Sequence, residues 1–251
     1  MIDFHVHQPA RRADGTPPYG PAEYADFAAT LGVELSAVFT FDGLRNPGRA
    51  ANDSLAAFAA AGDGRYVAFA TVDPRAPDAA DEIRRCVREL GMRGVKLHPW
   101  VQAVSPHSPG LDPICEAAAE LGVPVLFHDG TPPFSAPLQL AALASRHPRT
   151  TVVLGHGGLH DLWREAAAAV EAAPNVHVCL CATPPYAMRA IVDRCPLERV
   201  LFGTDGGLVP QAEQQYVDLR IRQLDGLGLS ARQRTAILED NPRRLLEGRR
   251  P

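Results

Sequence analysis

Met1-Ile-Asp-Phe-His5-Val-His7 is an apolar strand pattern that carries two histidines two residues apart. Side chains alternate along a strand, so His5 and His7 share a face and can hold one metal ion between them while both imidazoles are neutral. Four later apolar runs also close on a chemically capable residue: Gly94-Val-Lys96-Leu-His98, Pro124-Val-Leu-Phe-His128, Thr151-Val-Val-Leu-Gly-His156 and Arg199-Val-Leu-Phe-Gly-Thr-Asp205. Short apolar runs of this kind read as strands. Reactive residues placed at successive strand ends predict a parallel barrel, because its C-terminal rim is where such ends converge.

Working outward, strands are predicted over about 1–7, 36–42, 66–73, 94–99, 124–129, 150–156, 176–183 and 199–205. Most are continuously apolar rather than alternating, as expected of parallel strands covered on both faces. Helical patterns fall between and after them, near 21–31, 48–61, 77–90, 111–121, 135–147, 159–172, 185–194 and 211–226. Eight strands alternating with eight helices predict an α/β fold, a (β/α)8 TIM barrel forming one domain over 1–251, rather than an open doubly wound sheet. The stretch from Ser230 to Leu246 reads as two short extra C-terminal helices with Ser230 as N-cap. Gly155-His-Gly-Gly158 lacks the spacing of a dinucleotide or phosphate loop, so its glycines are read as allowing close approach of backbone to a ligand.

Composition narrows the function classes. A chain of 251 residues, 46% hydrophobic, buries a large core, and a formal charge of -4 gives no footprint for nucleic acid or an anionic membrane. A small-molecule substrate is the expected partner. No apolar stretch reaches the ~20 residues of a membrane span, and a strand pattern starts at once, so a cytoplasmic protein without a leader is expected. Five cysteines with no framework spacing suit a reducing compartment. Cys179-Leu-Cys181 offers a metal-binding pair, but the preferred reading is two small residues on one face of a barrel strand.

A divalent ion that activates water needs neutral imidazole or carboxylate ligands and an open position. His5, His7, His128 and Asp205 supply such a set, with His156 beside it as proton carrier and Asp205 able to take a proton as well. His156 is a further candidate ligand. Lys96 has several readings: a carbamylated bridge to a second metal, a partner for Asp205 or a substrate carboxylate, or a side chain reaching the rim. Substrate-facing candidates are Arg11 and Arg12 in the first rim loop, His98 and Trp100 after the fourth strand, and Phe134 after the fifth. An arginine there would clamp a carboxylate at two points.

These motifs resemble the amidohydrolase superfamily, in its aminocarboxymuconate-semialdehyde-decarboxylase-like branch. The resemblance rests on Ile2-Asp-Phe-His5-Val-His7, Gly94-Val-Lys-Leu-His-Pro99, Pro124-Val-Leu-Phe-His128-Asp-Gly130, Leu154-Gly-His156-Gly-Gly158, Leu201-Phe-Gly-Thr-Asp205 and Asn241-Pro-Arg-Arg-Leu-Leu246, which together span almost the whole chain. It implies a mononuclear site on His5, His7, His128 and Asp205, with zinc as the usual metal, manganese as the alternative, and a second ion only with a carbamylated Lys96. Two features depart from the branch: Gly206-Gly207 follows Asp205 in place of an aromatic residue and a proline, and Asn241 precedes Pro242 where alanine is usual. The chain is also short for decarboxylating members. The expectation is therefore hydrolysis of a small cyclic or carboxylated lactone, amide or ester. Nonoxidative decarboxylation or hydration of an unsaturated or aromatic acid is the alternative, and a non-catalytic metal-binding barrel the second alternative. Such barrel enzymes often form homodimers, although no stretch of this chain marks an interface.

Overall fold

Every apolar run predicted as a strand is one, and all eight lie in one parallel sheet ordered as in the sequence. They are β1 (Ile2–His7), β2 (Leu35–Phe39), β3 (Tyr66–Ala70), β4 (Gly94–Leu97), β5 (Val125–Phe127), β6 (Val152–Leu154), β7 (Val176–Cys179) and β8 (Val200–Leu201). The computed structural model describes residues 1–10, 19–210 and 212–248. The seam between β8 and β1 is stitched by N–H groups of Phe4, His7 and Asp205 donating to carbonyls of Phe202 (3.0 Å), Gly206 (2.7 Å) and His5 (2.9 Å). With helices outside each strand, this is the predicted (β/α)8 barrel.

The strands end earlier than their apolar runs. The run ending at Asp205 is a two-residue strand, because beyond Leu201 the backbone leaves the ladder and Asp205 takes a left-handed φ of 64°. The reactive residues therefore sit on the turns just past the sheet rather than within it.

Strict alternation fails at the most informative place. Ile2 and Phe4 belong to the apolar cluster that fills the barrel, with Phe39, Phe69, Leu126, Val153, Cys179 and Leu201. By simple parity His5 and His7 would then face outward. The pairing of β1 with β2 slips between Asp3 and Val6, and this bulge brings His5 and His7 inward after Phe4. Val6, between them, packs in the outer cluster under the helices.

Eight helices match the predicted segments to within a few residues, from Pro21–Thr30 to Glu213–Asp225. Two short rim helices, Phe41–Arg45 and Pro99–Gln102, were not anticipated. The C-terminal segment forms Ala231–Thr235 and Asn241–Leu246 joined through a π-helical turn, Ala236–Asp240. Ser230 caps it as expected, its hydroxyl accepting from the Gln233 N–H at 3.3 Å. Leu245 and Leu246 enter the apolar cluster inside the barrel. Asn241 replaces the usual alanine with two bonds, its amide donating to the carbonyls of Leu197 and Val200, both at 2.8 Å. All five cysteines are free and buried. No described helix is long and apolar enough to cross a membrane.

Candidate metal centre

The bulge in β1 and the turn after β8 bring three predicted ligands together. Asp205 Oδ1 lies 3.3 Å from His5 Nε2 and 3.2 Å from His7 Nε2. Glycine makes the approach sterically feasible: a Cβ on Gly203 would stand 2.4 Å from the His5 Cβ, and one on Gly207 2.0 Å from the His7 carbonyl oxygen. Asp3 braces the same seam. Its carboxyl accepts from the N–H of Thr204 (3.0 Å), the Thr204 hydroxyl (2.6 Å) and the His5 N–H (3.2 Å). The turn beyond Asp205 is held by Glu213, which accepts from the N–H groups of Gly207 and Val209.

The other histidines complete a wall. His156 has its ring 4.6 Å from that of His5 and 4.4 Å from that of His128, centroid to centroid. Buried Asp129 fixes its loop, accepting from the N–H groups of His156 (2.5 Å) and Gly158 (2.7 Å). His128 stacks on His98 at 3.7 Å, nearly parallel. Lys96 is 1% exposed, 4.6 Å over the Phe39 ring, with Nζ 3.4 Å from His5 Nε2.

Burial governs the charges. It lowers His5 well below its ordinary value, with Lys96 adding to the effect; it lowers His7 and His128, and brings His156 down to about 4. These rings are neutral near pH 7, the form that binds metal. Burial alone would raise Asp205, but its bond to His7, with His156 and Lys96 close by, holds it well below the usual carboxylate range. Burial also brings Lys96 down to about 8, against the pull of Asp205.

Buried polar atoms are normally paired. Here His5 Nδ1, His7 Nδ1, His128 Nε2 and His156 Nδ1 are buried without a hydrogen-bond partner in the protein. Neutral imidazoles, a persistent carboxylate and unpartnered ring nitrogens on one rim fit a divalent ion. The sequence reading weighed Cys181 as a ligand and preferred a small core residue, yet ligating atoms of His5, His156, Cys181 and Asp205 all lie within 4.8 Å of one another. Burial, then Asp205, pushes that thiol well above its ordinary value, so it would have to lose a proton to ligate. Its position just past β7, the strand between those that precede His156 and Asp205, was the available signal.

The substrate-facing candidates separate. His98 joins the wall, whereas Trp100 is 55% exposed and Phe134 is half-buried in the Thr131–Ser135 turn. Arg11 and Arg12 lie outside the described residues. A cavity of about 420 Å³ borders the rim beside Gln8, Phe41 and Arg45. The Phe41 ring lies 5.8 Å from His7 and 6.3 Å from His98, and the Arg45 guanidinium 4.7 Å over Phe41. Both residues belong to the rim helix after β2 that the sequence reading did not find.

Known proteins agree with this architecture. A gamma-resorcylate decarboxylase of Rhizobium sp. is 29% identical over 152 residues, covering 46% of this chain and 46% of that protein. The chain thus matches about half the length of such curated relatives. The solved 2,6-dihydroxybenzoate decarboxylase from Rhizobium superposes with a TM-score of 0.72 at 19% identity, over 98% of each chain. A dihydroxybenzoic acid decarboxylase from Polaromonas sp., with bound manganese and an inhibitor, gives 0.73 at 17% identity, over 100% of this chain and 97% of that one. These likenesses show the fold. The amidohydrolase family model matches residues 2–248, and the chain belongs to that family of metal-dependent enzymes.

Proposed function

We propose that the chain is a nonoxidative decarboxylase of a small unsaturated or aromatic carboxylic acid, acting with one divalent ion. The observation that carries this reading is the rim on which His5, His7 and Asp205 meet beside His156, with the cationic Lys96 within 3.4 Å of His5. His5, His7 and Asp205 would hold the metal, with His128 as the fourth expected ligand. Zinc is the first choice because few-coordinate imidazole and carboxylate sites suit it, and manganese the second. A bound ion would orient substrate oxygens and stabilise charge developing on them.

In decarboxylation the bond to the carboxyl carbon breaks, its electron pair stays on the remaining carbon, and that carbon gains a proton. Lys96, itself buried, supplies positive charge that would attract the substrate carboxylate. Asp205, held ionised, orients His7. His156 would relay that proton from water to the vacated carbon, since its Nδ1 is buried and unpartnered and the ring is fixed through its own backbone by Asp129. Phe41 and Arg45 border the adjoining cavity, where an aromatic ring and a second carboxylate would be received.

The test is a panel of hydroxylated aromatic and unsaturated acids given to zinc- and manganese-loaded protein in D2O. Carbon dioxide release with one deuterium at the vacated carbon is expected, along with loss of turnover in His156→Asn. Hydrolysis of a lactone, amide or ester is the second reading, favoured by the neutral His156 standing ready as a base. Oxygen from labelled water in the product, without carbon dioxide, would establish it instead. Full metal content and turnover in His5→Ala would sink both readings.

A further inference from the structure

We infer that the base of the barrel, at the end opposite the metal centre, holds a binding site for a small monovalent anion. His177 lies at the start of β7, about four residues below Cys181, or roughly 13 Å at the usual rise of a strand. It is 4% exposed, and neither ring nitrogen has a hydrogen-bond partner in the protein. His177 lines a cavity of about 30 Å³ with Pro124 and Thr151 from the sheet base and Arg244 and Leu245 from the C-terminal helix. Arg149, an exposed side chain, stands on the same lining.

The donor count selects the ligand. Arg244 Nε is also buried without a partner, while the other guanidinium nitrogens donate to Asn241 Oδ1 at 3.3 Å and to the Glu198 carbonyl. That N–H can only donate. Burial, then the neighbouring Arg244 and Arg199, keep the imidazole neutral, at about 4, so it contributes one further N–H and one lone pair. None of the described residues lining the cavity is acidic. Two unsatisfied donors beside two arginines, with no carboxylate among the described lining residues, favour an acceptor that carries negative charge. The volume, about 30 Å³, has room for one water or one ion of about halide size and none for a metabolite, and the donors favour the ion. Such an ion would tie the Asn241–Leu246 helix to the starts of β5, β6 and β7.

Bromide is the probe. Crystals of the full chain in sodium bromide, measured at the bromine absorption edge, are expected to show an anomalous peak within hydrogen-bonding reach of His177 and Arg244 Nε. In solution, chloride should raise the Tm of the wild type relative to gluconate at equal ionic strength. Arg244→Gln should weaken the anion affinity by roughly tenfold or more, as expected for loss of a charge-assisted bond. His177→Leu should do likewise. Arg149→Gln leaves the helix's own bonds in place and should weaken binding by a smaller factor, so the idea stays testable if Arg244→Gln does not fold. No anomalous peak in crystals where both side chains are ordered would overturn the site, as would an equal chloride response in wild type and variants.

Discussion

Asp3 shows how much of the centre depends on a residue that touches no substrate. Burial raises its carboxyl to about 7, so near neutrality it is partly protonated, and it accepts three hydrogen bonds along the β1–β8 seam. An amide can stand in for it: the carbonyl oxygen of Asn takes the two N–H groups, and the Thr204 hydroxyl turns to accept from the NH2. Asp3→Asn is therefore expected to keep its fold and metal, whereas Asp3→Ala leaves buried donors unpaired at a cost of about 1–3 kcal/mol. Denaturant unfolding and metal analysis of both variants check this, and equal behaviour of the two would refute it. Gly155 is constrained differently, since a Cβ there would stand 2.5 Å from the Phe127 carbonyl and 3.0 Å from His5 Cε1. Gly155→Ala should cost about 1–3 kcal/mol through overpacking and weaken metal binding by displacing His5. Unchanged metal affinity would show that the His5 ring has room to move.

Among the elements, the first barrel helices are joined by one buried polar group. The Asn52 amide donates to Glu82 (2.9 Å) and to the Thr71 carbonyl (3.1 Å), and accepts from the Thr71 N–H, linking Arg49–Ala60, the end of β3 and Ala79–Arg88. Burial alone would raise Glu82, but bonds from Arg85 and Asn52 bring it down to about 2. A depressed carboxyl contributes stability above its unfolded value of about 4.5 and loses it as pH falls toward 2. Glu82→Gln should thus be less stable than wild type by about 1–3 kcal/mol at pH 7, with the gap narrowing between pH 4.5 and 2. A gap that stays constant as the pH is lowered through that window would contradict the assignment. Element identity was legible in the chain because most strands are continuous apolar runs, and five of the eight close on a reactive residue. The bulge in β1 was not, since Phe4-His5 carries no local turn signal and only pairing with β2 displaces it. Phe41–Arg45 escaped for a related reason: a five-residue helix is too short to show a period. The ordered placing of His5, His7, His156 and Asp205 needed only strand ends and a closed barrel, whereas Cys181 looked like core filling until neighbouring strands were in register.

At the scale of the whole molecule, the two ends of the barrel carry different burdens. The C-terminal rim gathers four histidines with an unpartnered ring nitrogen, glycine close contacts and the left-handed Asp205, features that function selects and stability alone does not. The opposite end receives Leu245 and Leu246, 6% and 7% exposed, into the apolar interior. Stability and metal binding should therefore separate. Leu246→Ala removes buried apolar volume and should cost about 2–5 kcal/mol, lowering Tm while metal content and turnover at 25 °C stay near wild type. Chelation should do the reverse: a ligand bound at a thousand times its Kd contributes about 4 kcal/mol, which metal removal abolishes together with turnover. The two effects should add when Leu246→Ala is unfolded in chelator, because distant sites with no shared partner are independent. A coupling above about 1 kcal/mol between them would mean that the plug at one end sets the geometry of the ligands at the other, and that the interior rings between, Phe4, Phe39 and Phe69, transmit it.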